Sequence, residues 1–432
     1  MLATLPDECR QSQADARSLT DVLAAFHPRA EVSVEIADSN RLANLDAHWS
    51  DLLQRADVHN AFMAPRLLLA AAEAGTQIVT LLAWRPDVHA PRLVGLWAFS
   101  IGRPRGAIVP FKALRAPATE HAYLATPVID RTCVDATLAA MLDALAAAPH
   151  LPKTVMLCAM SAEMAGFLQR VIASRRAHAC VFNETQRPAL AVEADPEGYL
   201  QSALSSSTRK KLRQYRRRLG ERGKLELHVA QSSEDVRGAA EQFLQLEAQG
   251  WKGRRGTALL SQAQDAAFMR GMLSDLAERK DACIYSLMLD GRPVSMQIVL
   301  RAGPAAFTWK TAYDEALGEL SPGMLLFEDY TKALLAEPGV THVDSCAYDD
   351  QSFMASWKAR ARVLDLMFDV RKDAPLQARL SASINCWYRG SRGQVKSLWH
   401  RCRACLKTAR KGIEKCIGPR PAAQPKDTRC GA

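Results

Sequence analysis

The stretch CIYSLMLDGRPVSMQIVLRAGPAAFTWKTAYDEALGELSPGMLLFEDY, residues 283–330, decides the fold. Cys283 to Asp290 and Pro293 to Ala302 are strand-like runs joined by a tight DGRP turn, which predicts a hairpin. Gly303-Pro304 turns the chain into a third strand, Phe307 to Asp314. Ser321 then offers a helix N-cap and Pro322 the favoured first position of an apolar helix to about Glu337. Gly323 leaves the first turn uncovered, and free amides there suit a phosphate.

Along the third strand, alternation places Phe307, Trp309, Thr311 and Tyr313 on one face and Thr308, Lys310 and Ala312 on the other. An ammonium inside a central strand needs solvent, a partner or a ligand, because burying it unpaired is costly. The same argument applies to Asp344 in the later strand His342 to Ala347, and makes it the leading candidate for a general base or acceptor-orienting carboxylate.

Upstream, Lys224 to Ala230 is a short alternating strand. Ser232 or Ser233 caps a helix to about Ala248, with Glu234 and Asp235 in its favourable first turn. A Gly-rich loop, Gly250 to Gly256, leads to a helix from Ser261 to about Lys280. Downstream, FMASWKARA (Phe353 to Ala361) reads as helical and Val363 to Val370 as a last strand. Glu247, one turn before the loop, is a candidate base, although an exposed helix-end carboxylate is the simpler reading. The first half repeats the order: helices near 42–55 and 65–74, strands 78–85 and 92–100, a third within 107–128, then helix 133–147, strand 154–160, helix 162–174 and a strand near 179–182. An unrelated α/β domain is the alternative for this half.

The composition is globular, with 48% apolar and 24% charged residues. No apolar, uncharged run is long enough to span a membrane, and the N-terminus lacks a secretory pattern. The 11 Cys are scattered, which argues for reduced thiols in a cytosol. Cys402 and Cys405 with His400 form half of a zinc pattern without its other half, so no metal is expected. Charge is concentrated: residues 205–224 hold nine Lys or Arg against one acid, and 385–432 hold twelve against two. The remaining body is net acidic. Basic segments of this kind meet phosphates or form solvated faces.

The order β-α-α-β-β-β-α-β-α-β resembles the GNAT acyltransferase fold. The runs LEAQGWKGRRGTAL (Leu246 to Leu259), FTWKTAYDEALGELSPGMLL (Phe307 to Leu326) and VDSCAYDDQSFMASWKARARV (Val343 to Val363) resemble the CelD/BcsL-type acetyltransferase family, linked to cellulose and other bacterial polysaccharide production. The basic lead-in SSSTRKKLRQYRRRLGERG (Ser205 to Gly223) is similar too. The tandem arrangement resembles the FemABX peptidyltransferases.

The resemblance implies an α/β (α+β) fold of tandem GNAT-like domains, with mixed, mostly antiparallel sheets flanked by helices and a basic C-terminal helical tail. It divides the chain into a flexible segment 1–30, a degenerate first domain 31–198, a catalytic domain 199–374 and a tail 375–432. It implies an acyl-CoA-dependent N- or O-acyltransferase, with acetyl-CoA or another acyl-CoA as co-substrate and a sugar or polysaccharide-linked acceptor. Ser321, Pro322, Gly323 and Met324 would hold the pyrophosphate. Trp251, Lys252, Tyr313 and Asp349 would meet the acceptor, and Asp344, Lys310 and Glu247 would serve catalysis. The family's usual Arg/Gln-x-x-Gly-x-Gly/Ala loop is absent, as ALGELSPG supplies Gly318 and Gly323 without the Arg or Gln. Two other readings stay open: a FemABX-like transferase using aminoacyl-tRNA, gripped by Arg209 to Arg218, and a non-catalytic scaffold of a polysaccharide synthase complex. The implied location is cytoplasmic, with peripheral contact at the inner membrane face.

That contact is argued from the tail. Val395, Leu398, Trp399, Cys402, Cys405, Leu406, Ala409, Ile413 and Ile417 recur at helical spacing, with Lys and Arg between them. Such a helix lies on anionic membrane or packs on the protein's own body, and each basic residue near the membrane contributes about 1 kcal/mol. Full-length protein is expected to co-sediment with anionic liposomes at low salt, and a chain ending at Ala374 is not. Equal pelleting of the two would remove the tail as an anchor.

Overall fold

The computed structural model describes residues 32–88, 90–104, 111–192, 195–347 and 353–372. The expected tail helix, the segment 1–30 and Asp349 lie outside them.

The first half runs β1 (Ser33–Ala37), α1 (Asp46–Arg55), α2 (Pro65–Glu73), β2 (Ile78–Arg85), β3 (Arg92–Gly102), β4 (Ala113–Ala116), β5 (Val128–Ile129), α3 (Val134–Ala147), β6 (Thr154–Ser161), α4 (Ala162–Ser174) and β7 (Ala179–Ala191). Helices α5 (Pro196–Ala203) and α6 (Ser206–Gly220) lead into the second half. There follow β8 (Leu225–Ala230), α7 (Ser233–Gln249), α8 (Ala263–Glu278), β9 (Ala282–Leu289), β10 (Arg292–Ala302), β11 (Ala305–Tyr313), α9 (Pro322–Leu335), β12 (His342–Asp344) and β13 (Ala359–Asp369). The β9–β10 hairpin closes through Asp290 and Gly291, both at positive φ (48° and 75°). A two-residue turn between strands of right-handed twist demands that backbone, which Asp-Gly adopts at low cost.

All the strands join one mixed sheet, in the order β1-β2-β3-β4-β6-β13-β7-β12-β11-β10-β9-β8, with β5 beside β3. The order is symmetric about its centre. On each side three antiparallel pairings are followed by one parallel pairing, β4 with β6 and β11 with β12. The centre is an exchange. β7, from the first half, pairs with β12 of the second, while β13 pairs with β6 of the first. β7 and β13 also pair with each other, from Ala359↔Ala189 to Phe368↔Ala179. Each half therefore completes its sheet with a strand from the other.

Two expectations change here. Phe353–Ser356 is only a single 3-10 turn, and the run read as helix enters β13 at Ala359. Pairing with β7 supplies hydrogen bonds that local propensity does not foresee. The second helix of the second half starts at Ala263 after Gln262, and Ser261 ends a separate 3-10 turn.

The cores follow the faces of the sheet. One face carries a continuous cluster from both halves, including Trp97 and Phe99 of β3, Phe243 of α7, Met272 of α8, Phe307 of β11 and Leu366 of β13. α2 packs against α8 within it, so helices of the two halves form one layer. The other face of the second half buries Phe327, Tyr330, Leu334 and Trp357 around α9.

Leu366 is fully buried between β6 and β7. Leu366→Ala is expected to cost about 2–5 kcal/mol through lost burial and a residual cavity. Because β13 belongs to the first half's sheet and hangs from the second half's chain, both halves should melt in one transition. Two separated transitions by calorimetry would contradict that coupling.

Candidate active site

The site begins with an irregularity in β11. Lys310 pairs with Ile298, but the next pair is Thr308 with Val299, so Trp309 is an extra residue in a bulge. A bulge breaks strict alternation. Trp309 and Phe307 join the same core cluster, and the Lys310 Nζ lies 5.0 Å from the Trp309 ring centre and 5.9 Å from that of Tyr123. The expected opposition of Lys310 to Phe307 and Trp309 is thus overturned. β11 and β12 stay paired only from Ala305↔His342 to Phe307↔Asp344. β12 ends there, and Lys310 stands on the part of β11 that continues past it.

Lys310 makes no ion pair among the described residues. Burial pushes its ammonium down to about 8, and the neighbouring Lys252 charge pushes the same way. Lys252 donates to Glu247 Oε1 at 2.7 Å and reaches the Thr311 carbonyl at 3.5 Å. Glu247 is 4% exposed, and its Oε2 accepts the Leu259 amide at 2.8 Å. It is not the exposed helix-end carboxylate of the simpler reading: it is buried and ties the loop after α7 to that helix. Leu259 caps an apolar contact under the loop, which a sequence reading of GWKGRRG does not reveal.

Trp251 opens a single helical turn, Trp251–Arg254, and its amide donates to Glu315 Oε1 at 2.5 Å. Its ring is 43% exposed and faces the Arg255 guanidinium at 5.0 Å. Glu247, Trp251, Lys252 and Tyr313 line one shallow pocket of about 30 Å³. Four of the residues singled out by sequence therefore meet at the end of β11.

α9 starts immediately beyond. Pro322 takes the first position as expected, but Ser321 is left-handed (φ 47°, ψ 56°) and its side chain caps nothing. The capping role expected of Ser321 is replaced by its carbonyl, which receives the Met324 and Leu325 amides at 2.9 and 3.2 Å. The 3-10 turn Glu315–Leu320 delivers the chain to this point and forces the conformation. A side chain added at Gly323 would meet nothing nearer than Tyr313 Cδ1 at 3.9 Å, so the face of the first turn is open.

Asp344 sits at the end of β12. Its Oδ2 accepts from Arg187 of β7 at 2.5 Å, and its Oδ1 accepts the Cys346 amide at 2.8 Å. Both oxygens are thus engaged, one across to β7 and one in the turn that ends β12. Arg187 also donates to the Tyr123 carbonyl at 2.9 Å, which fixes the loop that faces Lys310.

His121 was not singled out by sequence. Its Nε2 lies 3.0 Å from Asp265 Oδ1 on α8, and its ring stacks on Phe268 at 5.6 Å. Its carbonyl accepts the Trp309 indole N–H at 2.6 Å. Burial, then the Lys310 charge, lower its pKa and keep the imidazole neutral near pH 7. With Nε2–H donated to Asp265, the free lone pair is on Nδ1, the arrangement of a base oriented by a carboxylate. No periodic pattern flags His121, since it lies on an irregular loop and gains its partners from the other half.

Residues 206–358 match the family model described as acetyltransferase (GNAT) domain. The solved structure of FemX aligns with a TM-score of 0.56 at 11% identity, covering 82% of this chain and 100% of that one. A conserved protein of unknown function from Bacteroides thetaiotaomicron gives 0.48 at 10% identity, over 78% and 99% of the two chains. A tandem GNAT protein from the clavulanic acid biosynthesis pathway gives 0.43 at 14% identity, over 80% and 99%. No curated protein matches the chain. The fold is a tandem GNAT-like one, and the protein is an enzyme of the acyltransferase class with a GNAT acetyltransferase domain in its second half.

Lys310 supplies a direct check. Its pKa is depressed on folding, so below about 8 the folded state carries the full penalty of a buried ammonium. Between about 8 and the unfolded value of about 10.4 the unfolded chain binds the extra proton, and stability rises with pH. Relative to Lys310→Met, wild type should therefore gain stability from pH 8 to 10. A difference in denaturation midpoint that stays flat over that window would contradict the shift.

Proposed function

We propose that the protein is an acyl-CoA-dependent N- or O-acyltransferase acting on a sugar or polysaccharide-linked acceptor in bacterial surface polysaccharide biosynthesis. Residues 199–374 would form the catalytic domain and 31–198 its companion. The observation that carries the reading is that β11 runs on past the end of β12, through the Trp309 bulge, and leads by one 3-10 turn to a helix start with no side-chain cap. The unpaired edge of β11 past β12 would take an extended pantetheine-like arm, and the open first turn of α9 suits a pyrophosphate. The matched acetyltransferase (GNAT) domain and the run resemblance to polysaccharide-linked acetyltransferases support the donor and acceptor classes.

The thioester supplies the acyl group. The acceptor amine or hydroxyl gives its proton to a base and attacks the carbonyl carbon; the C–S bond breaks and the thiol leaves. His121, neutral and oriented by Asp265, is fitted to take the proton. Lys310, largely protonated at pH 7, places positive charge where the carbonyl oxygen turns anionic or where the thiolate departs. Lys252 is held by Glu247, and with Trp251 and Tyr313 it borders the acceptor side. Asp344, with both oxygens occupied, acts through position.

A second reading has its own observation. On α6, Lys210, Lys211, Arg213, Arg217 and Arg218 are exposed, while Arg216 is tied to Asp329 of α9 at 2.7 Å. Such a face suits the phosphates of an aminoacyl-tRNA donor, and that binding would weaken steeply with salt.

Gly323→Asp should keep the fold, since the site has room for a side chain. It should weaken acetyl-CoA binding at least about tenfold, roughly 1.4 kcal/mol, by setting a carboxylate against the pyrophosphate. Calorimetric titration with acetyl-CoA, alongside aminoacyl-tRNA in low and high salt, decides between donors. Unchanged acetyl-CoA affinity in the folded variant would remove the donor site.

A further inference from the structure

A cavity of about 420 Å³ lies between the loop after β4 and helix α8, adjoining the site described above and sharing His121, Asp265 and Phe268 with it. That volume is in the range of small-molecule sites. Its wall contains the Ser100 hydroxyl at the end of β3. Ser100 is 6% exposed, and its Oγ has no hydrogen-bond partner. The Thr119 Oγ1, on the same wall, is also buried and unpartnered. A buried hydroxyl without a partner is destabilising, and a wall with two of them awaits a group that both donates and accepts.

The rest of the lining narrows the chemistry. Gln77 and Gln264 offer amides that donate and accept, Arg115 donates, and Asp265 accepts. Phe268 adds an apolar ring at one side. Glu120 and Asp265 bring two carboxylates against Arg115, the one Lys or Arg among the described lining residues, which disfavours an anionic ligand. A neutral ring bearing several hydroxyls satisfies the paired donor and acceptor needs, with its C–H face on the aromatic side.

We propose that this cavity binds a neutral pyranose sugar unit through Ser100 and Thr119 of the first half and Gln264 on α8 of the second. His121 belongs to both places. It lines the cavity, and its carbonyl holds the Trp309 indole in the bulge of β11. A sugar seated here is brought to the loop that faces Lys310. That the bound unit is the acyl acceptor rests on the acyltransferase reading; the binding itself does not.

The test uses full-length protein with N-acetylglucosamine and glucose as probes, and glucuronate and inorganic phosphate as contrasts, by saturation-transfer NMR and calorimetry. Saturable binding of at least one neutral sugar is expected, weakened about fivefold or more in the double variant Ser100→Ala, Thr119→Val. Gln264→Ala, at an exposed position of α8, should weaken it as well and keeps the test intact if the double variant does not fold. Acetyl-CoA titration of the same samples should be unchanged. No neutral sugar binding to wild type at concentrations on the order of tens of millimolar, equal binding by the variants, or binding of phosphate or glucuronate alone would each overturn the proposal. Sugar binding as expected with no acetyl-CoA binding would instead strike the donor reading and leave this site standing.

Discussion

The ion pair between Arg187 and Asp344 is the constraint from which the rest of the arrangement follows. It joins β7 of the first half to β12 of the second at 2.5 Å, in a position where both side chains are nearly buried. Removing one partner of such a pair leaves an uncompensated buried charge and costs about 3–5 kcal/mol. The pair stands at the end of β12, and its second arm reaches the Tyr123 carbonyl beside Lys310. One guanidinium thus ties the exchanged strand β7 to β12 and to the loop that carries Tyr123.

The element order was largely legible, and for physical reasons. The hairpin around Asp290-Gly291, the alternation of β9 to β11 and the Pro at the start of α9 are local signals that tertiary packing reinforces. What escaped was non-local. The Trp309 bulge exists only relative to β10, so alternation put Lys310 on the wrong side. Glu247 looks exposed because its burial comes from Leu259, beyond a loop of Gly and Arg. Ser321 looks like a cap because its type is right, while the turn before it imposes a left-handed backbone. His121 carries no periodic signal at all, and its meaning comes from α8 and β11.

Lys310 and His121 illustrate how the two halves tune one another. The buried ammonium lowers the imidazole's proton affinity, while burial and the Lys252 charge lower the ammonium's own. Each group is held by the loop between β4 and β5, which belongs to the first half, and by strands or helices of the second. The companion half is therefore a wall of the candidate site as well as a structural partner. A single GNAT-like unit with the same β11 would leave Lys310 open to water, and its charge would be screened.

The exchange of β7 and β13 also has a consequence for synthesis. A ribosome delivers the first half long before residues 359–369, yet β6, paired with β4 on one side, finds its other neighbour only in that last strand. The nascent first half must wait with the edges of β6 and β7 uncovered, and uncovered edges recruit other strands. The chain cannot be matured half by half from its N-terminus. Cutting the coding sequence between the halves, or fusing another sequence between β12 and β13, would separate each sheet from the strand that closes it. An ancestral duplication that gave rise to such a pair would have become irreversible once the strands were traded.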